Sequence, residues 1–252
     1  MAANIGDFFI YSNSVQGVTE EDYRKIELLV NTVESFARST YQCVYIIDYF
    51  KKDFLYVSEN MAYLCGQSSE KIKDFGYRLY IDYVPEKDQQ MLLEINKKGF
   101  ELYESIPVDE RMDYSITYDF HIMNGKKQRL VNHTLTPIFL TKDGRVWLAL
   151  CTFSLSARKA SGHIIMKKSG ENKYYEYSLE KHRWEHKDAV PLNSTERDVL
   201  ILSAQGYTMN EIAERLFKSV DTIKACKRTL FAKLEVNNIA EALSLATNYR
   251  ML

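Results

Sequence analysis

Between Lys218 and Lys233 lie five basic residues and one acidic residue, a local charge of +4 in a chain whose 33 Lys and Arg and 34 Asp and Glu sum to −1. Lys224, Lys227 and Arg228 stand at i, i+3 and i+4, the spacing that places side chains on one helical face. Phosphates reward such charge, and base edges reward Arg or Lys geometry. The near-neutral total excludes general attraction to polyanions and leaves nucleic-acid binding to this patch. Other chemistries lack their residues. There is no phosphate-binding Gly-rich loop, G-x-S-x-G elbow or H-E-x-x-H helix, so the expectation is a protein that is not an enzyme. Cys43, Cys65, Cys151 and Cys226 are far apart, with no C-x-x-C and no close Cys/His grouping; this fits a reduced cytoplasmic chain without metal. Cys226 reads as a small residue near the DNA backbone. His182 and His186 flank Trp184 in a strand-like pattern that does not put them on one helical face, and His121 and His133 read as strand residues with ordinary partners.

The elements that must position the basic face are marked by punctuation. A first helix runs from about Ser194 to Gln205, offers Val199, Leu200, Leu202 and Ala204 to a core, and stops at Gly206. Thr208 with Glu211 forms a capping box for a second, to about Phe217, with Ile212, Ala213 and Leu216 inward. Ser219 caps a third, whose inward stripe is Ile223, Leu230 and Leu234. A fourth begins at Asn237 or Asn238 with Ile239, Ala242, Leu243 and Ala246. A basic helix preceded by a short turn and a capped scaffold helix is the helix-turn-helix arrangement for entering a major groove.

This segment resembles the LuxR-type helix-turn-helix family through L-x-x-x-E-R-x-V-L at Leu192 to Leu200, G-x-T-x-x-E-I-A-x-x-L-F at Gly206 to Phe217, and S-x-x-T-I-K at Ser219 to Lys224. K-L-x-V-x-N at Lys233 to Asn238 and A-E-A at Ala240 to Ala242 continue it. The resemblance implies that the third helix is the recognition helix, with Lys224, Ala225 and Arg228 facing bases and Ser219, Thr222, Lys227 and Lys233 on the phosphate side. It implies double-stranded DNA as partner, a homodimer paired through the fourth helix, and a regulator for which RNA polymerase is a further partner. Cys226 stands where the family usually has His, Glu235 where a Gly usually follows, and Thr195 and Ile239 where Arg is common. Glu is the residue least expected at a positive-φ C-cap.

Upstream, 252 residues with 46% hydrophobic and 27% charged content predict two globular domains with real cores. The start of the chain has no basic residue ahead of an apolar run, so no secretory pattern is read, and no apolar run approaches the ~20 residues of a membrane span. From Thr19 a capped helix shows an apolar face of Tyr23, Ile26, Val30, Val33 and Phe36, suited to packing on a sheet or on a second protomer. YQCVYIID and FLYV read as strands. Helices in SENMAYLCG, SSEKIKDFG and PEKDQQMLLEINKKG are expected to end at Gly66, Gly76 and Gly99. Three long strands, separated by Asn124-Gly125 and Asp143-Gly144, form an antiparallel meander, with Tyr114, Tyr118, Phe120, Phe139, Trp147 and Phe153 as core or interface. The pattern is α+β, closing into a five-stranded sheet with helices on one side.

Over residues 41–155 this order resembles a PAS domain, which implies a sensor or dimerisation module, often with a small-molecule ligand between sheet and helices. The flavin string N-C-R-F-x-Q is missing and the long helix has no His of the heme-binding kind, so no cofactor is read. Receiver domains, which need an early acidic pair and a parallel sheet, do not fit. The expected organisation is an N-terminal segment over 1–40, a PAS-like domain over 41–155, a β-rich linker over 156–190 and an all-α, four-helix DNA-binding domain over 191–252. A sequence-specific, ligand-sensing or dimerising transcriptional regulator follows. A protein-docking adaptor is the alternative, which would have no reason to retain the basic helix.

Overall fold

The computed structural model describes residues 4–9, 13–40, 42–189 and 191–249; Tyr41 and Val190, boundary residues of the expected domains, and residues 250–252 lie outside these. Two compact units form, one of residues 1–155 and 160–187, the other of 156–159 and 188–252.

The first unit is built on an antiparallel sheet: β1 (Cys43–Asp48), β2 (Asp53–Val57), β3 (Tyr114–Asn124), β4 (Lys127–Leu140), β5 (Val146–Leu155), β6 (Gly162–Lys168), β7 (Lys173–Ser178) and β8 (Arg183–Asp188), in the spatial order β2-β1-β5-β4-β3-β6-β7-β8. The first five positions of that order give the PAS-like arrangement expected from sequence. The sheet does not stop at five strands, however. The segment read as a β-rich linker continues it, with Ile116 of β3 paired to Met166 of β6 and Met166 to Tyr175 of β7. GHIIMKK, KYYEYS and HRWEH are strand-like in sequence, but which edge they join is a long-range pairing that no local pattern encodes.

Hairpin turns form where expected, with Gly125 at φ 60° and Gly144 at φ 78°. Between β2 and β3 come α2 (Met61–Cys65), α3 (Ser69–Phe75), α4 (Arg78–Tyr83) and α5 (Glu86–Glu104). Gly66 ends α2 in the left-handed region, and Ser68 caps α3. α4 has no side-chain cap and escaped sequence reading. α5 was expected to end at Gly99 but runs through it. A Cβ there would meet Ile116 Cδ1 at 3.3 Å, so this glycine serves close packing of helix on sheet and not termination.

α1 (Glu20–Ser39) starts at Thr19 with a capping box to Asp22. Along β1, Tyr45 bonds to Tyr80 of α4, whereas Asp48, three residues on and so on the opposite face, accepts from Tyr23 Oη of α1 at 2.5 Å. Helices therefore cover both faces. Ile26 and Val33 of α1 are buried, but Phe36 is 49% exposed, so the expected apolar face is split between sheet and solvent. Of the aromatics expected in core or interface, Phe120, Trp147 and Phe153 are buried, while Phe139 is 40% exposed and meets Trp147 edge-on.

The second unit holds α6 (Ser194–Ala204), α7 (Met209–Arg215), α8 (Val220–Leu234) and α9 (Ile239–Asn248). Two apolar clusters hold it together: Leu192, Leu200, Leu230, Leu234 and Leu245 in one, Val199, Ile212, Ala213 and Ile223 in the other. Ala204, expected inside, is exposed in the last turn of α6. Among the described residues no helix is long and apolar enough to cross a membrane.

Candidate nucleic-acid interface

Four short helices need their ends fixed, and each start is capped by its own side chain. Asn193 accepts from Glu196 N–H, Thr208 from Glu211 N–H, Ser219 from Thr222 N–H and Asn238 from Glu241 N–H. At the ends, Gly206 takes φ 86° after α6. Glu235 takes φ 55°, ψ 46° after α8, and its N–H bonds to Ala232 and Phe231 carbonyls. A non-glycine residue adopts that left-handed conformation, and the chain turns there to bring Val236 into the core.

α7 and α8 are joined by a turn in which Phe217 N–H donates to Glu214 O at 3.2 Å and Lys218 N–H to Ala213 O at 2.9 Å. Along α8, Ile223, Leu230 and Leu234 are buried. Successive residues rotate by about 100°, so Lys224, Ala225 and Arg228 lie away from that stripe, and all three are exposed. Lys224 makes a surface contact with Asp221 at 3.2 Å. Ser219 and Thr222 are exposed at the N-terminus of α8, their hydroxyls 2.8 Å apart.

Two basic residues expected on the phosphate side are less free than Lys224 and Arg228. Lys227, four residues after Ile223, swings back toward the buried stripe; it is half-buried, and desolvation lowers its ammonium pKa. Lys233 lies 2.7 Å from Glu196 Oε2, a carboxylate whose side chain is 3% exposed, and 3.2 Å from Pro191 O. It is the internal counter-ion of a buried acid. That partner is 37 positions away in sequence, so no local pattern announces it. Cys226 is partly buried, and burial raises its thiol pKa. Ile239 packs against the larger apolar cluster. Arg215 lies 3.9 Å over the Tyr207 ring. No cluster of three or more His, Cys, Asp or Glu suited to a metal occurs among the described residues.

In the first unit, a cavity of about 50 Å³ lies between α5 and the sheet. Ile95, Phe100 and Tyr103 of α5 line it with Tyr118, Leu135 and Met166 from strands, and among the described residues no Asp, Glu, Lys, Arg or His does. A space between sheet and helices is what the PAS resemblance implies, and here α5 is the helix that closes it. Beside it, His133 Nε2 is 2.8 Å from Tyr45 Oη, and burial pushes the imidazole pKa down to about 3. His121 takes a different partner, with Nδ1 2.8 Å from Asp88 of α5, which also accepts from Ser161 Oγ at 2.9 Å.

Residues 190–246 match the family described as bacterial regulatory proteins, luxR family. The chain is 36% identical over 64 residues to the transcriptional activator protein BglJ of Escherichia coli and 39% identical over 63 residues to the fimbriae Z protein of Salmonella typhimurium. These matches cover 25% of this chain in both cases, and 28% and 30% of the two relatives. Among solved structures, a phage VqmA–DPO complex aligns over 91% of this chain and 93% of its own, with 17% identity and a TM-score of 0.35. The capped four-helix segment carrying α8 is a LuxR-type helix-turn-helix domain, preceded in sequence by a domain of PAS-like topology.

Proposed function

We propose that the chain is a sequence-specific DNA-binding transcriptional regulator acting in the cytoplasm as a homodimer, with α8 as the helix that enters the major groove. The observation that carries this reading is the outward placement of Lys224, Ala225 and Arg228 opposite the buried stripe of α8. Lys224 and Arg228 read base edges; Ala225 lets the helix approach closely. Ser219, Thr222 and Lys227 meet phosphates, and Lys233 acts on the phosphate side through Glu196, by fixing α8 against α6. Two-fold pairing fits because one short helix offers few base contacts, and a second copy doubles them. The PAS-like unit senses a small uncharged ligand in the cavity under α5 or serves dimerisation, with a transcription complex as the downstream partner.

Arg228→Ala and Lys224→Ala should each lower discrimination between a specific site and bulk DNA by about 1 to 3 kcal/mol. Lys227→Ala should weaken binding to all sequences and make the slope of log affinity against log salt shallower by about one unit. Titration of genomic sites recovered by crosslinking, at several salt concentrations, measures both. Equal binding by the wild type and all three variants overturns the proposal.

A further inference from the structure

Phe217 is 96% exposed, the most exposed of the large hydrophobic side chains among the described residues. It also sits at φ 53°, in the left-handed region that a glycine adopts without strain. The turn demands that conformation, since the bonds from Phe217 and Lys218 N–H groups close the end of α7. It does not demand a phenyl ring. Backbone strain and a ring left in water both disfavour phenylalanine here, and no group of the domain receives it. At 96% exposure the ring is open to a partner.

Its surroundings indicate what receives it. Lys218 follows directly, Ser219 caps α8, and Lys224 and Arg228 are exposed further along that helix, while Lys233 at its end is taken up by Glu196. We infer that Phe217 is an apolar DNA-contacting residue, packing on the deoxyribose edge of the strand whose phosphates meet Lys218 and the first turn of α8. Between its phosphates a DNA strand presents apolar sugar carbons, and a ring placed beside charged phosphate contacts can cover them. The assignment rests on the DNA-binding reading above. A protein surface is the competing receptor, but the charge of this stretch favours a polyanion.

The test uses the full-length chain and sheared duplex DNA of mixed sequence, because a sugar contact is indifferent to sequence. Phe217→Gly should weaken binding about 5-fold or more, as expected for losing a partly buried aromatic contact. It should leave the salt slope unchanged, since no charge is removed, and should not lower the thermal midpoint, since the strain is relieved. Phe217→Leu should retain most of the affinity. Unchanged affinity of Phe217→Gly overturns the assignment, even where that variant fails to regulate transcription, which would place the ring on a protein. A midpoint that falls together with affinity also overturns it, by making the ring structural. A wild-type chain without salt-dependent DNA binding overturns the DNA-binding reading itself, and this assignment with it.

Discussion

The two units solve the same problem, holding a chain in one arrangement, by different means. In the helix-turn-helix domain the specifying groups are local: four side-chain caps each act within three residues, and Gly206 and Glu235 bend the chain where a helix stops. The PAS-like unit has local caps and turns as well, but it adds distant bonds. Tyr45 meets His133 across 88 positions, Asn96 reaches Phe8 across 88, and Asn13 bonds both backbone groups of Val146 across 133. Local devices make a small domain that presents a rigid outer face. Distant ones enclose an interior that can keep a space.

Four changes would break or sharpen this contrast. Phe153→Ala, at a ring packed on Tyr45, Phe120 and His133, should destabilise the PAS-like unit by about 3 to 5 kcal/mol in denaturant titration. A loss below about 1 kcal/mol would show that the interior is not held as described. Glu196→Ala strands Lys233 and removes an N-terminal cap, so the DNA-binding domain should lose about 2 to 4 kcal/mol. Glu196→Gln should recover part of this through the cap bond. Should the alanine variant be as stable as wild type, the pair is ornamental.

His133 supplies a pH test. Its folded pKa of about 3 lies below the ordinary 6.5, so between those values the unfolded chain binds a proton that the folded one refuses. Stability is therefore lost as pH falls from 6.5 toward 3, by up to about 1.4 kcal/mol per pH unit from this group. His133→Phe should show a shallower acid loss between pH 4 and 7, and parallel curves would contradict the assignment. The smallest effect belongs to a local device. Thr208→Ala should cost about 1 kcal/mol, visible as a modest shift in thermal midpoint of the DNA-binding domain. A much larger loss would mean that the cap does more than fix the start of its own helix.

The same contrast explains what could be read from the sequence. α7 and α8 begin at Thr208 and Ser219, the caps their residues announce, and the buried stripe of α8 follows its periodicity. The hairpins around Gly125 and Gly144 were equally plain, because the turn residue itself carries the information. Sequence reading lost the argument where one residue serves a remote neighbour. Gly99 carries a helix-stop identity but makes room for Ile116, Lys233 carries a surface identity but neutralises Glu196, and β6 carries no mark that says it joins β3. α4 has neither cap nor long periodicity, and it is held by tertiary contacts, with Leu79 and Tyr80 buried and the Ile81 carbonyl accepting from Gln89 of α5.

An eight-stranded open sheet leaves two borders, and they are treated differently. β2 is five residues long and lies against α3. β8, at the other end, reads RWEHKD and places Arg183 and Lys187 around Glu185, with ion contacts of 3.3 and 3.6 Å. A bare strand border is a template on which a foreign chain can add itself, and such addition begins aggregation. Here any newcomer would have to strip water from three charged side chains before gaining its backbone bonds, so the lengthened sheet ends without inviting polymerisation.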